Sequence, residues 1–134
     1  MANRRELLRG SAAVVMLASS PALMAAIDTL TRPESAPLYK VLFDARHDAS
    51  QRFAAAFAEQ GVAMYALPNG DITPFWRNEL AFVWAAAPAP IAGLTDASVL
   101  FCLEQLAPQF GLRVLHREAR SAGLVAWVLA PPRT

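Results

Sequence analysis

The sequence predicts an α/β fold, a small three-layer sandwich with a mostly parallel sheet, a C-terminal antiparallel hairpin and a helical leader in front. Three observations predict it. Short β-favouring runs alternate with stretches of helical periodicity, which calls for parallel pairing through crossover helices. The predicted helices carry their own start and stop residues. The 134 residues are 55% apolar and 17% charged, enough to bury one core and against a disordered chain.

Tyr39-Lys40-Val41-Leu42-Phe43 reads as a buried strand ending at Asp44. Asp48-Ala49-Ser50-Gln51 has capping-box spacing, with Asp48 as N-cap and Gln51 at the third helical position. Phe53, Ala54, Phe57 and Ala58 recur on one helical face while Arg52, Glu59 and Gln60 point away, and Gly61 stands where a left-handed residue stops the helix. Val62 to Leu67 follows as a second strand, and Pro68-Asn69-Gly70-Asp71 as a turn. Thr73-Pro74 opens an aromatic helix with Thr as cap and Pro at the first position, and Ala85 to Pro90 ends it.

Ile91-Ala92 is a short third strand and Gly93 a sharp turn. Thr95 caps a helix in which Val99, Cys102, Leu103 and Leu106 share a face, widened by Leu100 and Phe101. Gly111 follows its end. Leu112 to His116 and Leu124 to Leu129 are the closing hairpin, joined through Arg117 to Gly123. One α/β domain over 39–131 is therefore expected.

Ahead of it, Arg4-Arg5-Glu6-Leu7-Leu8-Arg9 precedes an apolar stretch from Gly10 to Ile27 that includes Ser19, Ser20 and Pro21. The segment resembles a twin-arginine export signal, departing from the usual pattern at Asn3 and Leu7. The resemblance implies a protein carried in folded form to the periplasm by the twin-arginine machinery. On that resemblance residues 1–26 are expected to be the signal peptide, cut near Ala22 to Ala26 or kept as an inner-membrane tether. Residues 27–38 read as a linker. Arg4, Arg5 and Arg9 against Glu6 carry the positive excess, leaving nine basic and ten acidic residues in the body. That balance gives no electrostatic reason for nucleic-acid binding. Contact with a membrane comes only through an uncleaved leader.

Ligands of an open parallel sheet sit beyond the carboxyl ends of its strands. Three segments should meet there: Asp44 to Asp48, Asn69 to Thr73 and Gly93 to Asp96. The candidate ligand-binding residues are Asp44, Arg46, His47, Asp71 and Thr95. Asp48, Thr73 and Thr95 are equally explained as caps, and Gly70 and Gly93 as turns. Gly93-Leu94-Thr95 lacks the glycine run and lysine of a phosphate loop, and no GxSxG elbow is present.

Cys102, the single cysteine, reads as a small buried hydrophobe. A metal site built on both His47 and His116 would have to draw from opposite ends of the domain, so no metal and no cofactor are expected. Phe75, Trp76, Phe82 and Trp84 exceed what so small a core needs, which makes them candidate partner contacts. Two functions follow. The first is a non-catalytic envelope accessory protein, the small or escort subunit of an exported oxidoreductase. The second is a periplasmic ligand-binding or enzymatic domain using the strand-end cleft.

Overall fold

The computed structural model describes residues 37–132; the leader, its Arg4-Arg5 pair, its cleavage region and most of the linker lie outside them. Five strands and three helices alternate. In chain order they are β1 (Lys40–Phe43), α1 (Asp48–Ala58), β2 (Met64–Ala66), α2, β3 (Ile91–Asp96), α3 (Ala97–Leu106), β4 (Arg113–Ala119) and β5 (Leu124–Ala130). α2 runs without a break through Thr73–Phe75, a π-helical stretch Trp76–Leu80 and Ala81–Ala86. Among the described residues no helix is long and apolar enough to cross a membrane.

The strands form one sheet in the order β2-β1-β3-β5-β4. β1 pairs in parallel with β2 and β3, and β5 pairs antiparallel with β3 and β4. The sheet is therefore mixed rather than mostly parallel. Composition explains the difference. β5, Leu-Val-Ala-Trp-Val-Leu-Ala, is buried at every position but Val125 and takes a central place, whereas β4 exposes alternate residues and suits an edge. The tight link Ser121–Gly123 then makes the pair antiparallel.

Because successive side chains of a strand point to opposite faces, the sheet has two cores. Val41, Ala92, Leu94, Ala126 and Val128 pack with Phe53 and Phe57 of α1. Leu42, Ile91, Trp127 and Leu129 pack with Phe75, Leu80 and Trp84 of α2 and Val99, Leu100 and Leu103 of α3. Helices on both faces make three layers.

Several local expectations are corrected. Gly93 is not a turn but sits inside β3 opposite Trp127, and a Cβ there would lie 2.5 Å from the indole ring. Glycine is needed so that the ring can cross the strand. Thr95 is not a cap: it is buried in β3, where its hydroxyl accepts a hydrogen bond from Trp127 Nε1 at 2.9 Å and donates to the Asp96 carbonyl. No capping box forms at α1. His47 takes the cap position, and Gln51 donates to the Ala45 carbonyl instead. At α2, Thr73 is already helical and its N–H is met by Asp71 Oδ1, the next residue being a proline without an N–H. Cys102 is exposed rather than buried, because the inward stripe of α3 runs through Val99, Leu100 and Leu103. Gly61 is left-handed as the sequence requires, at φ 85°.

Candidate functional site at the carboxyl ends of the central strands

From β1 the chain passes to β2 on one side and then returns to β3 on the other, with α1 on one face and α2 on the opposite face. The strand order thus reverses at β1. Chain leaving β1 and chain leaving β3 pass to opposite faces of the sheet there, and the carboxyl ends of two such strands are where open α/β sheets bind their ligands.

At the base of this edge the structure is fixed. The Asp44 N–H donates to Ser50 Oγ at 2.8 Å, and the same hydroxyl donates to the Leu94 carbonyl, so one buried side chain of α1 ties β1 to β3. The Asp44 carboxylate is only 1% exposed. Its Oδ1 accepts from the Arg46 backbone N–H at 3.0 Å and from Nε at 2.9 Å, and its Oδ2 from Nη2 at 2.6 Å. The Arg46 guanidinium bonded to Asp44 holds that carboxyl below the usual carboxylate range, against the opposing effect of burial.

On the solvent side of this edge the groups are open. Arg46 is 50% exposed, and its Nη2 also reaches Asp96 Oδ2 at 3.4 Å, the Asp96 side chain being 40% exposed. His47 Nε2 lies 4.0 Å from Asp44 Oδ2. Gly70, at φ 75°, leaves room for this arrangement: a Cβ on it would come within 2.2 Å of Arg46 Nη2. Asp44, His47 and Asp96 can each offer a ligand atom, all within 4.8 Å of one another.

The structure thus brings together Asp44, Arg46 and His47 of the candidates read from the sequence. Asp71 belongs to the same end of the sheet but caps α2, its carboxyl lowered by the Thr73 N–H and then by the Thr73 hydroxyl. Thr95 turns inward. Asp96 and Ser50 were not singled out. Asp96 carried a readable signal, a carboxylate between an apolar strand and an apolar helix; Ser50 looked like a helix residue. A set of two carboxylates and one imidazole needs only His47, and His116 stands apart on β4 with Nε2 3.3 Å from Glu118 Oε2.

A second charged cluster, absent from the sequence reading, lies at the amino end of β1. Glu79, in the π-helical stretch of α2, accepts from Tyr39 Oη at 2.6 Å and pairs with Lys40 Nζ. The ammonium lies 5.4 to 5.8 Å from the ring centres of Tyr39, Tyr65 and Phe75. The hydrogen bond to Glu79, with burial and the carboxylate charge, pushes the Tyr39 hydroxyl up to about 12. Burial pushes Glu79 up, but the bonds from Lys40 and Tyr39 outweigh it and leave the carboxyl below its usual value.

The aromatic segment divides. Phe75 and Trp84 are buried in the core and have no surface to offer a partner. Trp84 Nε1 is satisfied by the Ala89 carbonyl at 2.9 Å. Trp76 is half-buried, edge-on to Trp84 and Phe110. Phe82 is 70% exposed. No protein family, curated protein or solved structure matches this chain.

Proposed function

We propose that the domain binds a small polar ligand at the carboxyl ends of β1 and β3, and that the Arg4-Arg5 leader delivers it to the periplasm. One observation carries the binding reading: a buried, oriented carboxylate and three partly exposed polar groups converge where the strand order reverses. Asp44 serves as the fixed floor, and Arg46, His47 and Asp96 are the groups free to touch the ligand. Export rests on the residues of the leader alone. The test is amide chemical-shift mapping of the full chain titrated separately with acetate, inorganic phosphate and zinc chloride. Shifts concentrated on residues 44–48, 69–71 and 94–97 support the reading; shifts scattered over the surface, or none, overturn it.

The accessory reading keeps one observation in its favour, the exposed Phe82 on α2. Co-purification of a larger oxidoreductase from the host, lost in Phe82→Ser, is its expected outcome. Co-purification unchanged by that substitution removes Phe82 from the argument.

A further inference from the structure

We propose that Asp44, His47 and Asp96 form a binding site for a divalent transition-metal ion, and that the Arg46 guanidinium holds the ion's place when the metal is absent. The inference rests on the strand-end reading above and names the ligand class of that site.

The donor set is one imidazole nitrogen and two carboxylate oxygens, a mixture that suits zinc or manganese better than magnesium. The donor atoms lie within 4.8 Å of one another. Bonds of roughly 2.1 Å put tetrahedral donors about 3.4 Å apart. The His47–Asp44 separation of 4.0 Å must therefore close by about 0.6 Å, and no donor pair by more than about 1.4 Å, within reach of side-chain rotation by the half-buried imidazole and the partly exposed Asp96.

Charge points the same way. A single nitrogen, Arg46 Nη2, stands 2.6 Å from Asp44 Oδ2 and 3.4 Å from Asp96 Oδ2, so positive charge already occupies the space between the two carboxylates. Two carboxylates against one guanidinium leave these three side chains net negative. Arg46 is half-exposed and can swing into solvent, returning its hydration as it leaves. Asp44 does not depend on the guanidinium for its orientation, because the Arg46 backbone N–H holds Oδ1 at 3.0 Å whichever way the side chain points. Three protein donors leave a fourth coordination position, which a polar ligand or water would complete.

The competition between Arg46 and the metal gives the proposal a test that a chance surface site does not pass. Isothermal titration of the full, tag-free chain, stripped with a chelator, is carried out with zinc, manganese and magnesium chlorides. One zinc ion per chain is expected, bound more tightly than manganese and far more tightly than magnesium. His47→Ala and Asp96→Asn should each weaken zinc at least tenfold, and His116→Ala should leave it unchanged. Arg46→Gln, which keeps a hydrogen-bond donor for Asp44 but removes the competing charge, should bind zinc more tightly than the wild type. Folding of each variant is checked by circular dichroism, and if Arg46→Gln does not fold, Arg46→Met, which also removes the charge, supplies the same comparison. Zinc binding that is absent, or indifferent to His47, Asp96 and Arg46, overturns the metal assignment. If acetate or phosphate still shifts the amides of residues 44–48 and 94–97, the strand-end reading survives that failure. If they do not, it falls with it.

Discussion

The two ends of β1 each hold an ion pair, and they use it differently. At the amino end Lys40 and Glu79 are 22% and 29% exposed, and tyrosine and phenylalanine rings surround the ammonium. Each charge meets its partner, and the pair holds α2 against the sheet. At the carboxyl end the carboxylate of Asp44 is buried, while its guanidinium partner and Asp96 face water. A closed pair contributes to stability and leaves nothing over for a ligand. An open pair above a rigid floor contributes less to stability and keeps its outer groups available.

The largest effect expected is on the floor of the open end. Ser50→Ala removes a hydroxyl that serves the Asp44 N–H and the Leu94 carbonyl, leaving two buried backbone groups unmet. At roughly 1–3 kcal/mol for each unsatisfied group, a loss of about 2–6 kcal/mol is expected in urea denaturation. A loss below about 1 kcal/mol would show that water replaces the hydroxyl and that the floor is not rigid. Thr95→Val, which strands the Trp127 indole N–H, should cost about 1–3 kcal/mol by the same measurement.

At the closed end, Glu79→Gln should cost about 1–2 kcal/mol, since it weakens two charge-assisted bonds at once in a partly screened site. Its pH signature is specific. Tyr39 keeps its proton up to about 12 in the folded chain, against an ordinary value of about 10. A raised folded value means that this contribution is complete below about pH 10 and is lost as pH rises from there toward 12. Tyr39→Phe should remove that alkaline slope from the stability profile; a slope that persists would place its origin elsewhere. Gly70→Ala should cost about 1 kcal/mol through its left-handed backbone and should also push Arg46 out of place, an effect visible as shifted Asp44 and Asp96 carboxyl resonances.

How the sequence revealed one end and not the other follows from distance along the chain. Asp44, Arg46 and His47 lie within one turn of chain after a strand, so the rule that ligands sit at strand carboxyl ends located them directly. The segment holding Asp96 is expected at this edge from the sequence, but choosing Asp96 rather than Thr95 within it needed the recognition that β3 continues through Gly93 to the helix. That was hidden because glycine reads as a turn unless Trp127, far along the chain, is known to lie across it. Glu79 had no signal at all: its partners, Tyr39 and Lys40, are about forty residues away, and a π-helical stretch has no sequence pattern that marks it. The mixed sheet was misread for a related reason. Alternating elements fix which strands exist, but the position of β5 between β3 and β4 depends on which strand is apolar enough to be covered on both faces.

The most direct measurement crosses the two ends. Glu79→Gln and Asp96→Asn are compared for thermal midpoint and for zinc affinity under identical conditions. Glu79→Gln is expected to lower Tm by roughly 4–16 °C, from about 1–2 kcal/mol in a domain of this size, and to leave zinc affinity unchanged. Asp96→Asn should leave stability within about 0.5 kcal/mol and weaken zinc at least tenfold. If Asp96→Asn lowers Tm as far as Glu79→Gln and leaves zinc affinity unchanged, both ends of β1 are structural and the strand-end cluster is not a metal site.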